Sequence, residues 1–124
     1  MKFNNETLRA AVKEWLDDAA AAEATYGHIS SWNTSEVTDM SQLFKDTNSF
    51  NQPIGDWDVS NVSNMSEMFF RAKAFNQPIG NWDVSNVTSM NWMFEGAESF
   101  NQPIGNWDVS NVNDMNHMFS RAIA

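Results

Sequence analysis

The chain has 124 residues, a formal net charge of −9 and no cysteine. That length suits one domain, and the charge argues against nucleic acid and against an anionic membrane surface, both of which call for a basic face. Disulfides play no part, no apolar run reaches transmembrane length, and six Trp with nine Phe supply ample area for a core.

The first segment is amphipathic. Residues 4–24 are expected to form one helix, with Leu8, Val12, Trp15, Leu16 and Ala19 on its apolar face. Asn4 is placed to cap the start, with Phe3 packing back on Leu8 as a hydrophobic staple. The run Ala19–Ala22 adds helix propensity. Stacked repeats need a distinct unit to cover the first core, so residues 1–25 are read as a capping helix. The alternative is an amphipathic helix that binds a partner.

From Tyr26 onward the chain repeats itself. Residues 26–49 form a faint copy, with Ile29, Trp32, Val37, Met40, Leu43 and Phe44 in phase. Three close copies follow at residues 50–74, 75–99 and 100–124, each opening on the phrase FNQPIG. A fixed period of this size marks stacked units, because one unit cannot close its own core. In the first close copy the apolar phases are Phe50, Ile54, Trp57, Val59, Val62, Met65, Met68, Phe69 and Ala72. Trp57 and Val59 are two apart, which suits an extended segment. Met65, Met68, Phe69 and Ala72 follow the spacing of one helix face. Each copy is therefore expected to hold a short strand near PIGxWDV and a short helix near MxxMFxxA. Pro53, Pro78 and Pro103 are expected at the strand starts, and Gly55, Gly80 and Gly105 at a bend or where backbones approach closely.

The recurring phrase FNQPIGNWDVSNVTxMxxMFxxAxxF resembles the BspA-like leucine-rich-repeat surface proteins, in the 25-residue class found in many mycoplasma surface lipoproteins. The resemblance covers residues 26–124. It implies an α/β, leucine-rich-repeat-like solenoid of about four 25-residue coils, here with an N-terminal α-helical cap. It also implies a cell-surface or extracellular setting, a role in adhesion or protein interaction, and no enzymatic activity. The chain itself shows neither a signal peptide nor the lipid-attachment cysteine of such lipoproteins.

The residue inventory is poor in chemistry. His28 and His117 stand in different copies at different phases, so no Ser–His–carboxylate group is expected. No His or Cys spacing suits zinc. No catalytic residue, metal ligand or cofactor is assigned. The repeated Asp58, Asp83 and Asp108, Ser60, Ser85 and Ser110, and Asn61, Asn86 and Asn111 are read as local hydrogen bonding. The alternative is a purely structural repeat held by a cation such as calcium.

Differences between copies are more informative. If Met65, Met68, Phe69 and Ala72 face inward, the positions between them form an outward stripe. One row of it reads Gln42, Glu67, Trp92, His117, the next Lys45, Phe70, Glu95, Ser120, and the next Asp46, Arg71, Gly96, Arg121. Exposed aromatics of this kind mark interaction surfaces. Glu67, Phe70, Arg71, Trp92, Glu95, His117 and Arg121 are therefore the candidate contacts for a protein or host-surface ligand. The last copy exposes its apolar face, so a homodimer through Trp107, Phe119 and Ile123 is also expected; the alternative is a cut from a longer array.

Overall fold

The computed structural model describes residues 2–119. Its N-terminal region is helical in two pieces, α1 (Asn5–Asp17) and α2 (Ala19–Tyr26). Asn4 caps α1 as expected. Its side-chain oxygen accepts from the Thr7 N–H, and Thr7 Oγ1 accepts from the Asn4 N–H, each at 2.8 Å. Phe3 and Leu8 are both buried beside it. The single helix over 4–24 is not what forms. Asp18 takes an extended backbone (φ −156°), ends α1, and starts α2 by accepting from the Ala21 N–H. An aspartate competes for nearby amides in this way. Leu16 and Ala19, assigned by spacing to the buried face, are exposed, while Ala11 and Ala22 are buried.

α1 lies over the first coil. Asn5 Oδ1 accepts from the N–H groups of Thr38 and Asp39, and Asn5 Nδ2 donates to Thr38 Oγ1. Arg9 reaches Asp39 at 3.3 Å. Trp15 and Phe3 pack on Trp32, with ring centroids 5.9 and 5.1 Å apart. A one-turn 3₁₀ helix, Ile29–Ser31, leads into the coil.

The α/β leucine-rich-repeat solenoid is overturned. Among the described residues from Trp32 onward the repeats contain neither helix nor sheet, only turns, bends and isolated parallel bridges, those between coils joining Asp39 with Asn64, Asn64 with Ser89, and Ser89 with Asp114. The segment read as a helix shows why. Alternate N–H groups, those of Met65, Glu67, Phe69 and Arg71, donate to the carbonyls of Ser89, Asn91, Met93 and Glu95 in the following coil. The N–H groups between them, of Met68, Phe70 and Ala72, donate three residues back. A helix would need every one of these amides four residues back. The backbone also turns left-handed at Gln42, Glu67, Trp92 and His117, and again at Asp46, Arg71 and Gly96. Those conformations stop a right-handed helix at every turn.

Every backbone N–H from Met65 to Arg71, and every carbonyl from Met65 to Phe70, nonetheless has a partner. The carbonyls at Ser66, Met68 and Phe70 accept from Gln42, Phe44 and Asp46 in the preceding coil. The same scheme links Met90, Trp92 and Phe94 to Asp114, Asn116 and Met118. This complete pairing allows a buried chain without regular elements.

The expected strand also fails. PIGxWDV is coil and turn, since proline donates no ladder bond. The glycine reading holds at two of the three positions: a Cβ at Gly55 would collide with the Pro78 carbonyl oxygen and one at Gly80 would lie 2.8 Å from that of Pro103, whereas one at Gly105 would meet nothing within 4 Å.

The apolar phases read from sequence do fill the core. Ile54, Val62, Met65, Met68, Phe69 and Ala72 are fully buried, as are Ile79, Val87, Met90, Met93, Phe94 and Ala97 one coil on. Aromatic rings form columns along the stack. Phe44, Phe69 and Phe94 lie 5.7 and 5.6 Å apart with near-parallel planes, and Phe50, Phe75 and Phe100 lie 6.0 Å apart. The two columns interlock, with Phe69 and Phe75 at 4.3 Å.

Candidate binding surface

The repeated polar residues serve the stack. Asp58, Asp83 and Asp108 each accept from the N–H and hydroxyl of the serine two residues on, at 3.0 and 2.6 Å. These bonds to the serine hydroxyl and amide hold the three carboxyls below the usual aspartate range. Asn61, Asn86 and Asn111 donate to the carbonyls of Ser35, Ser60 and Ser85 in the coil before. Among the described residues no group of three or more His, Cys, Asp or Glu could hold a metal ion.

The variable stripe divides into a polar and an aromatic half. The left-handed backbone at Gln42, Glu67, Trp92 and His117 (φ 56–63°) repeats one conformation, so these side chains meet along one column. In the polar half, Gln42 donates to Glu67 Oε2 at 2.8 Å and Lys45 reaches Glu67 Oε1 at 3.3 Å. The Gln42 bond, followed by Lys45, holds the Glu67 carboxyl below its ordinary value. In the aromatic half, Trp92 and His117 lie 4.6 Å apart between ring centroids. Phe70 joins the halves. Its ring is 5.9 Å from Trp92, with the Lys45 ammonium and the Arg71 guanidinium 5.3 and 5.0 Å from its centroid.

The structure thus brings Glu67, Phe70, Arg71, Trp92 and His117 together. Glu95 is half-buried at the edge of this group, and Arg121 lies outside the described residues. Phe70 departs from the outward reading: it is 9 % exposed, pressed beneath two cations and Trp92. Of the self-association candidates, Trp107 is buried, Phe119 is 49 % exposed and stacks on Phe94, and Ile123 lies outside the described residues.

A cleft of about 260 Å³ opens between the coils, lined by Ser66, Glu67, Phe70, Asn91 and Trp92. Asn91 is half-buried in this lining, and its Oδ1 is shielded from solvent without a hydrogen-bond partner. Sequence reasoning missed Asn91, although a signal was present. In the two preceding coils the equivalent position is a serine held by an acceptor two residues before it, Ser41 by Asp39 and Ser66 by Asn64. In the third coil Ser89 replaces that acceptor and Asn91 replaces the serine, so the serine–acceptor pair of the earlier coils is absent. A second, larger groove of about 750 Å³ runs over the turns at Pro53, Pro78 and Pro103, with Asp56, Asn81 and Asn106 along it.

Among the described residues no helix is long and apolar enough to cross a membrane. No curated protein and no solved structure matches the chain. Residues 10–124 match DUF285, described as a Mycoplasma protein of unknown function, which takes in most of α1, all of α2 and every coil. With nearly its whole length matched, the chain belongs to the DUF285 family.

Proposed function

We propose that the chain is a non-enzymatic binding module of a mycoplasma surface protein, and that it engages a host-surface ligand through the stripe around Trp92. One observation carries the reading: a scaffold that repeats nearly unchanged presents a column that changes from Gln42–Glu67 to Trp92–His117. Half-buried aromatics beside charged groups are the side chains that dominate binding energy at interfaces. The BspA-like character of the 25-residue phrase supports the surface setting and the adhesive role.

Binding of the fluorescently labelled chain to cultured epithelial cells tests this. Wild type should bind saturably. Trp92→Ala should lower binding at least fivefold, and Asn106→Ala, in the turn groove, should leave it unchanged. Equal binding by all three chains, or none by wild type, would overturn the proposal.

A further inference from the structure

We infer that the cleft between Phe70 and Trp92 is a subsite for one ring of a neutral glycan. The inference rests on the binding-module reading and names its ligand class. The cleft is smaller than the roughly 300–1,000 Å³ of drug-sized ligand sites, so it suits a single ring.

Its chemistry is one-sided. Two aromatic rings at 45° to one another, 5.9 Å apart, form the apolar wall. The polar groups offer acceptors. Asn91 Oδ1 has no partner, and Ser66 Oγ, having donated its proton to Asn64 Oδ1, keeps a free lone pair. Asparagine χ2 is a soft torsion, and no internal bond fixes the Asn91 oxygen, so it can turn to meet a donor. A ligand complementary to this cleft has an apolar face and donors on its edge. A pyranose has both: axial C–H groups pack on an aromatic face, and hydroxyl or acetamido N–H groups donate at the rim.

Charge selects against other occupants. Glu67 is the cleft's carboxylate, and its two oxygens already take Gln42 and Lys45. A cationic ligand would meet the like charges of Lys45 and Arg71 over Phe70. An anionic ligand would approach a chain of net charge −9 and a cleft of acceptors.

Saturation-transfer NMR with the whole chain tests the inference. The probes are methyl β-N-acetylglucosaminide, methyl β-galactoside and methyl β-glucoside, with tetramethylammonium and inorganic phosphate as charged comparators. At least one glycoside should bind with Kd of roughly 1 mM, at the weak end of the affinity scale. Asn91→Ala should weaken it about tenfold and Trp92→Ala abolish transfer, while Asn116→Ala, one coil on, has no effect. Should Trp92→Ala fail to fold, Trp92→Phe should bind more weakly than wild type. The inference is overturned if no glycoside binds, if only a charged comparator binds, or if the Asn91 and Trp92 variants bind as wild type does. Trp92-dependent cell binding without glycoside binding would sink this inference and leave the binding-module reading standing.

Discussion

The indole N–H of Trp82 donates to the carbonyl of Ile54, 28 residues earlier and 3.0 Å away. Trp57 makes the same bond to Ile29, and Trp107 to Ile79. Each tryptophan thus fills its own coil while tying off a carbonyl of the coil before. Trp82→Ala should cost about 3–5 kcal/mol, the range for large aromatic truncations. Trp82→Phe should cost about 0.5–1.5 kcal/mol, the net worth of one hydrogen bond, since the Ile54 carbonyl still accepts from the Trp57 N–H. Urea melts measure both, and a loss below 1 kcal/mol for the alanine variant would contradict the packing.

Three equivalent glycines separate close backbone approach from chain flexibility. Gly55 and Gly80 face proline carbonyls within 3 Å of a Cβ, whereas a Cβ at Gly105 meets nothing within 4 Å. Gly55→Ala and Gly80→Ala should each destabilise by about 1–3 kcal/mol, as overpacking does. Gly105→Ala should fall within about 0.5 kcal/mol of wild type. Equal effects at all three positions in denaturant melts would refute the stacking contact.

The left-handed row supplies a test of opposite sign. Asp46 is exposed with φ of 62°, a conformation that costs a side-chain-bearing residue roughly 1–2 kcal/mol and glycine little. Asp46→Gly should therefore be neutral or stabilising by up to about 1 kcal/mol, where glycine ordinarily destabilises. Gly96→Ala should destabilise, since φ is 70° and the new Cβ would stand 3.0 Å from Arg71 Cγ. Thermal melts of the pair decide it; a loss at Asp46→Gly would contradict the backbone described.

Acid should loosen the turns. The carboxyls of Asp58, Asp83 and Asp108 sit below their ordinary value of 3.8 because the serine two residues on donates to each. A depressed folded-state pKa gives stability that is present above the unfolded value and lost as pH falls through the folded one. Urea midpoints should hold steady down to about pH 4 and drop below it. Asp58→Asn should flatten that drop; an unchanged acid limb would show that the Asp–Ser bonds contribute nothing.

The period and the inward phases were legible because burial repeats every 25 residues whatever the backbone does. Ile54, Met65 and Phe69, and Ile79, Met90 and Phe94 one coil on, are buried accordingly, whereas Met115 and Phe119 in the last copy are exposed. The element type was not legible. Met65, Met68, Phe69 and Ala72 fit a helix face equally well when three-residue turns alternate with bonds to the next coil. Only the left-handed residues distinguish the two, and Glu67, Trp92 and His117 are not types that advertise that conformation. The site was half legible. The changing column pointed to Trp92 and His117, but Phe70 went inward because Lys45, Arg71 and Trp92 cover it. Asn91 escaped because nothing in its residue type announces a buried side-chain oxygen without a hydrogen-bond donor.

On the proposed reading, scaffold and binding column are separable. The double variant Trp92→Gln with His117→Glu copies the Gln42–Glu67 pair onto the later coils. Melting temperature and epithelial-cell binding should be measured on the same preparation. The account predicts a melting temperature within about 4 °C of wild type, a change of at most about 1 kcal/mol, with cell binding reduced at least tenfold. A folded double variant that binds cells as well as wild type would contradict it.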